Sequence, residues 1–160
     1  NALVVGMVGI MLFMLVYYKM AGLWANLGLV LNAIFCLAIL SLLGFTLTLP
    51  GIAGFILTLG MAVDGNVIVY ERIKEELAAG KTPRLAIAAG FERAFWCIFD
   101  SNLTTIVAAF VLFQFGTGPI KGFAVTLTVG LLCSMFVLLY VTRYVYELRS
   151  LDKNLKKLSI

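Results

Sequence analysis

Long apolar runs constrain the fold of this chain more than any other feature. A membrane-spanning helix needs roughly 20 mostly apolar residues, within a range of about 17–25. Five runs have that length, at residues 2–18, 24–46, 52–70, 95–115 and 120–142. The sequence therefore predicts an all-α membrane protein. Its bundle of five transmembrane helices would occupy residues 1–146, and a cytoplasmic basic tail would follow at 147–160.

The composition agrees with a membrane location and excludes several functions. Hydrophobic residues make up 62% of the chain and charged residues 12%, with a mean hydropathy of +1.07. Soluble domains carry about 25% charged residues. The net charge of +4 is too small to indicate a nucleic-acid partner. Because the chain has no histidine and no suitable ligand spacing, we expect no metal and no cofactor. The sequence shows no nucleophile–base pair, so we do not expect an enzyme.

The placement of lysine and arginine predicts the orientation. With five spans, one side collects Lys19, the basic residues of a loop at 71–94 and those of the tail, which together are 11 of the 12. The other side has only Lys121. Since cytoplasmic segments carry an excess of basic residues, we expect this loop and the C-terminus in the cytoplasm and the N-terminus outside.

The 71–94 loop has helical features of its own. Residues 71–77 can continue the third span as a charged helix that stops near Gly80, and Thr82-Pro83 is a helix-start signal. The residues after it predict a short amphipathic helix on the cytoplasmic surface, with an ordinary connecting helix as the open alternative. Its apolar face would consist of Ile87, Phe91 and Phe95.

Two aspartates interrupt the spans. Asp64 lies in the third span and Asp100 in the fourth, each in the cytoplasmic half, and the only lysine or arginine within the five spans is Lys121, at the outer end of the fifth. An Asp at the bilayer centre costs about 2.5–3.5 kcal/mol on insertion scales. Desolvation favours the neutral form of a carboxyl group, and hydrogen-bonding neighbours can serve either protonation state. We therefore predict that Asp64 and Asp100 form a proton relay.

Polar side chains follow each aspartate. The sequence is "DGN" at 64–66 and "DSN" at 100–102, and two threonines come shortly after the second. These side chains could flank the relay, or they could be hydrogen-bonding contacts that hold helices together. The predicted flank consists of Asn66, Asn102, Thr104 and Thr105.

Small residues recur at every fourth position of the fifth span. Such a stripe lets another helix approach closely, so it predicts helix packing. Its members are Gly118, Gly122, Thr126, Gly130 and Ser134. Three residues in the outer connections are candidate hinges, namely Pro50, Gly51 and Pro119.

Three stretches of this sequence resemble the SecD family, membrane subunits of the bacterial Sec protein-export machinery. They are "TLTLPGIAGFILTLGMAVDGNVIVYERIKEEL" (46–77), "GFERAFWCIFDSNLTTIVAAFVLFQFGTGPIKGFAVTLTVG" (90–130) and "SMF" (134–136). The first two spans resemble the family more loosely. Asp64 and Asp100 match the acidic positions of the family's motifs, and the four flanking residues match their polar surroundings.

The resemblance implies a fold and a function. SecD belongs to the RND superfamily of transporters that use proton-motive force. This chain would be one half of a SecDF-type bundle with its first span missing, in the bacterial plasma membrane. The implied partners are SecF, the SecYEG channel, YajC and an emerging polypeptide. A missing external domain, expected before Asn1, would contact that polypeptide.

Two other functions are also compatible with the sequence. One is an RND-type exporter of lipids or small molecules, also driven by protons. The other is a non-transporting membrane scaffold that assembles a complex through the small-residue stripe. A scaffold should tolerate the nearly isosteric change of Asp64 to Asn.

Overall fold

The computed structural model describes residues 2–150, which form helices and short connections, as the sequence predicts. Four helices are long and apolar enough to cross a membrane. The prediction of five separate spanning helices is therefore wrong, because the first two predicted spans belong to one helical element. In chain order the helices are α1 (Ala2–Leu42), α2 (Leu49–Ala78), α3 (Pro83–Phe115), α4 (Gly118–Phe136), a π-helical turn (Val137–Thr142) and α5 (Arg143–Ser150).

Helix α1 is interrupted at one residue, Lys19. Its backbone has φ 49° and ψ −116°, far from helical values. Beyond this point the Asn26 side chain donates a hydrogen bond to the carbonyl of Met11 at 3.2 Å. Fifteen residues of straight helix would separate these positions by about 22 Å. The two arms of α1 therefore lie side by side, and a single residue makes the reversal between the first two predicted spans.

Helix α3 is continuous from Pro83 to Phe115, so the prediction of a separate amphipathic helix on the cytoplasmic surface is wrong. The face containing Ile87 and Phe91 is buried within the protein. Gly90, on the same face, lies directly against Ile73 of α2. The apolar face therefore packs on the charged extension of α2 and does not lie on the membrane. No helix-breaking residue between Gly90 and Gly116 stops α3 from continuing into the membrane.

The two central helices, α2 and α4, run parallel and close together. Gly51 lies near Thr126, and fourteen residues further along α2 Gly65 lies near Leu138. Helix α3 runs antiparallel to both, since short connections join it to each of them. The second arm of α1 packs on the other side, where Cys36 and Leu40 form a buried cluster with α4.

The two ends of the bundle differ in chemistry. At one end, which we call the basic end, Lys19, the α2–α3 connection (79–82) and α5 come together. The Tyr18 hydroxyl donates to Glu71 Oε1 at 2.8 Å, and Phe91 contacts the ring of Tyr146. The opposite end contains the 43–48 and 116–117 connections. Of the predicted tail at 147–160, residues 147–150 belong to α5 and the rest lie outside the described residues.

Candidate functional site: two aspartates on an exposed helical face

The two aspartates lie at about the same level on neighbouring antiparallel helices. The contact between Ile73 and Gly90 fixes the register of α2 and α3. Asp64 lies nine residues before Ile73, and Phe99 lies nine residues after Gly90, which brings the next residue, Asp100, close to the level of Asp64. Both carboxylates are exposed on the outside of the bundle. The structure therefore presents two acidic groups at one depth, on helices otherwise rich in apolar residues.

The asparagines that follow the aspartates point the other way. Asn66 and Asn102 are buried, and each donates from Nδ2 to the carbonyl one turn earlier at 2.9 Å. Successive helical residues are about 100° apart, so positions i and i+2 lie on nearly opposite faces. Both motifs therefore direct the acid outward and the amide inward. The Oδ1 atom of Asn66 is buried without a hydrogen-bond partner in the described structure.

The threonines remain near Asp100 but bond to the main chain. The Thr104 hydroxyl donates to the Asp100 carbonyl oxygen at 2.9 Å, and that of Thr105 donates to the Ser101 carbonyl at 3.0 Å. Thr104 is exposed on the same stretch of α3 as Asp100. Within this chain both hydroxyls donate to main-chain carbonyls of their own helix, so the Asp100 carboxylate remains available to other partners.

The small-residue stripe of α4 lies mainly against α2. A Cβ added to Gly122 would be 2.6 Å from Thr48 Oγ1, and one added to Gly130 would be closer still to the side chain of Thr58. Thr126 is buried beside Gly51. Ser134 is also buried, and its hydroxyl donates to the Leu131 carbonyl at 2.9 Å. The stripe therefore supports the parallel contact between α2 and α4.

The outer end of the stripe and the candidate hinges occupy helix starts. Gly118 begins α4 with a φ of +22°, and Pro119 is in its first turn. Pro50 is in the first turn of α2, where Thr48 caps the helix by accepting a hydrogen bond from Gly51 N at 3.2 Å. Proline is well tolerated at these positions because the first N–H groups of a helix have no intrahelical partner.

Sequence reasoning missed a cluster of charges at the basic end. Glu76 is only 3% exposed, and its carboxylate is paired with Lys81 and with Arg93. In the sequence these residues were part of an ordinary charged loop. Four-residue spacing within one helix could not have revealed the cluster, because Arg93 comes from the next helix. Among residues 2–150, no group of three His, Cys, Asp or Glu side chains could hold a metal ion.

Comparison with known proteins identifies the family. Residues 1–149 match the model of the C-terminal region of protein export membrane proteins SecD and SecF. The chain is 56% identical over 159 residues to the protein translocase subunit SecD of Syntrophobacter fumaroxidans, covering 99% of this chain and 30% of the relative. It is 55% identical over 156 residues to SecD of Desulfurispirillum indicum, covering 98% and 30%.

Solved structures give the same family assignment. The crystal structure of SecDF in a super-membrane-facing form has a TM-score of 0.87 and 48% identity, over 92% of this chain and 20% of that one. SecDF from Thermus thermophilus, described as a translocon-associated membrane protein, has a TM-score of 0.86 with the same identity and coverage. The chain spans about a third of the length of the curated relatives. On this sequence and structural match, the chain belongs to the SecD/SecF family and is a multi-pass membrane protein.

Proposed function

We propose that this chain is the membrane-embedded part of a Sec protein translocase subunit, and that it couples proton-motive force to the export of polypeptides. Its relatives are named protein translocase subunits, and one similar structure is described as translocon-associated. Because the chain spans about 30% of those relatives, the part that contacts the polypeptide would belong to another segment. Transport, and not catalysis, is the proposed activity.

The observation that carries this proposal is the shared depth and exposure of Asp64 and Asp100. A carboxylate facing lipid is costly, so these groups need protein or water beside them. A side chain that only made structural hydrogen bonds could equally well carry an amide, like Asn66 and Asn102 on the inner face. A carboxylate adds the ability to take up and release a proton. The chain has no histidine to do so in its place.

A second helical half would complete the site. Asp64 and Asp100 are each exposed on the helix surface formed by residues 2–150, and the family's solved structures join SecD with SecF. We propose a SecF-type half as the direct partner on this surface. It would exclude lipid from the carboxylates and add further polar groups. SecYEG and YajC are the proposed further partners, and the emerging polypeptide is the proposed substrate.

The proposed location is the bacterial plasma membrane with the basic end in the cytoplasm. The basic side chains of the α2–α3 connection and of α5 lie at that end, while Lys121 lies at the other, over the ring of Phe113. The positive-inside rule then places the N-terminus outside and the C-terminus inside.

The scaffold alternative loses its main support in the structure. It relied on the stripe of small residues on α4 as a surface for other proteins. Gly122, Thr126 and Gly130 instead lie against α2 of the same chain. An RND-type exporter of lipids or small molecules remains a competitor, since its proton coupling would use the same carboxylates.

Substitution of Asp64 tests the proposal. We expect Asp64→Asn in the full-length subunit to retain membrane insertion and partner assembly but to lose proton-dependent export. Asp64→Glu should keep part of the activity, because it retains the titratable group and displaces it by one methylene. Glu75→Gln, which removes an exposed carboxylate at the basic end, is the matched control. The measurement is export of a secreted reporter in cells depleted of the native subunit.

Three results would contradict or redirect the proposal. Export at the wild-type rate by Asp64→Asn, at equal membrane levels, would leave Asp64 with a structural role. Loss of partner assembly in the same variant would also point to structure. Normal reporter export with loss of lipid or small-molecule efflux would favour the exporter.

A further inference from the structure

A cavity at the basic end combines aromatic walls with both signs of charge. It has a volume of about 410 Å³ and lies between α3 and the π-helical turn with α5. Phe91, Phe95 and Trp96 form its wall on α3, and Tyr140 faces them from the π-helical turn. Glu92 and Arg143 line it as well, and both are exposed. The cavity opens to the outside of the bundle, since Trp96 is 64% and Tyr140 68% exposed.

The depth of this cavity matches a membrane interface. Tryptophan and tyrosine concentrate where lipid headgroups meet the acyl chains. Both tryptophans and all six tyrosines of the chain lie on the basic-end portions of their helices, together with most of the basic residues. A surface cavity at this depth contacts lipid headgroups unless protein covers it. The occupant is therefore expected to have a charged head and an apolar tail.

The charges select the type of headgroup. The Arg143 Nε atom is 2.8 Å from Glu147 Oε1, so that edge of the guanidinium is paired, and the guanidinium carries further N–H donors of the kind that bind phosphate. No basic side chain of the described residues lies within 4 Å of the Glu92 carboxylate. This acid, between Phe91 and Phe95 in sequence and in the same cavity lining as Trp96 and Tyr140, offers a cation both a charge partner and aromatic faces. An anionic headgroup would satisfy Arg143 only.

We propose that this cavity binds a zwitterionic phospholipid of the phosphatidylethanolamine type. Its phosphate binds Arg143, its ammonium binds Glu92 against the faces of Trp96 and Tyr140, and its acyl chains run along the apolar surface of α3. The proposal does not depend on proton coupling or export. It identifies a lipid site at the cytoplasmic end of the proposed orientation, with Trp96 one helical turn on the basic-end side of Asp100.

Lipid titration of the delipidated full-length complex, followed by native mass spectrometry, tests this site. The probes are phosphatidylethanolamine and phosphatidylglycerol with identical acyl chains. We expect wild type to prefer phosphatidylethanolamine by about fivefold, the ratio expected for a cation–π contact near 1 kcal/mol. Glu92→Gln and Trp96→Leu should remove this preference by weakening only phosphatidylethanolamine. Arg143→Gln should weaken both lipids to a similar extent, because both contain the phosphate.

The test has one control variant and three results that would contradict the proposed lipid site. Glu75→Gln, an exposed acid of α2 outside the cavity, should keep the wild-type preference. Equal binding of the two lipids by wild type, or an unchanged preference in Glu92→Gln, would overturn the proposal. A photoreactive phenylalanine analogue in place of Trp96 should cross-link to lipid in membranes. Cross-linking to the partner half, or to another segment of the full-length subunit, would show that protein fills the cavity instead.

Discussion

Arg93 Nη1 lies 2.8 Å from Oε1 of Glu76, a carboxylate that is only 3% exposed although it belongs to a charged connection. Lys81 pairs with the other oxygen of the same carboxylate. Arg93 belongs to α3, Glu76 to α2 and Lys81 to the connection between them. One acid therefore joins three consecutive segments at the basic end. This arrangement fixes how the charged end of α2 meets α3, close to the Ile73–Gly90 contact that sets the level of the two aspartates.

Neutralising Glu76 should loosen this end of the bundle. In Glu76→Gln, Lys81 and Arg93 lose a common charged partner, and we expect faster hydrogen exchange in residues 78–84. Glu75→Gln is the control, because Glu75 pairs with Arg72 at the surface, where ion pairs contribute little. Hydrogen–deuterium exchange of the full-length complex measures the difference. Equal exchange in the two variants would show that the buried carboxylate does not hold the connection.

Filling the space at Gly130 should separate α2 from α4. A Cβ added there would be 2.7 Å from the Cβ of Thr58, so a leucine cannot fit without movement of a helix. We expect Gly130→Leu to lower the free energy of unfolding by about 1–3 kcal/mol or to impair assembly. Leu132→Ile changes an exposed residue on another face and should have little effect. Thermal unfolding in detergent compares the two, and similar stabilities would refute close packing along the stripe.

Single-cysteine labelling should reveal opposite sides for the two ends of the bundle. In a variant whose three native cysteines are replaced, Lys81→Cys should react only after a membrane-impermeant reagent gains access to the cytoplasm. Lys121→Cys should react from outside intact cells. The expectation follows from the basic residues gathered at the end that contains Lys81. Labelling of position 81 from outside would reverse the proposed orientation.

The two aspartates should act as one unit. Because they lie at about the same depth on neighbouring helices, we expect Asp64→Asn and Asp100→Asn each to abolish proton-dependent export. The double variant should then be no worse than either single variant, since residues of one relay have strongly non-additive effects. Export of the reporter at matched membrane levels measures this. Export losses that multiply in the double variant would indicate two independent roles.

Local sequence determined the membrane character of this protein and the approximate extent of its helices. Apolar runs of membrane length, and the helix starts at Pro50, Pro83 and Pro119, depend on residues close together in the chain. The uneven distribution of lysine and arginine predicted which connections share an end. The motifs around Asp64 and Asp100 carried the family resemblance, which the comparisons confirm. None of these features requires knowledge of which helices touch.

Tertiary structure decided the features that depend on contacts between distant residues. Helical periodicity separates Asp64 from Asn66 by face, but only the packing of α2 shows that the acid is outside and the amide inside. The face of α3 that contains Phe91 is apolar enough to lie on a membrane, yet Ile73 and Tyr146 cover it. The reversal at Lys19 and the pairing of Arg93 with Glu76 likewise needed the fold. Hydropathy indicates that a face will be buried, but the geometry of the neighbouring helices decides what buries it.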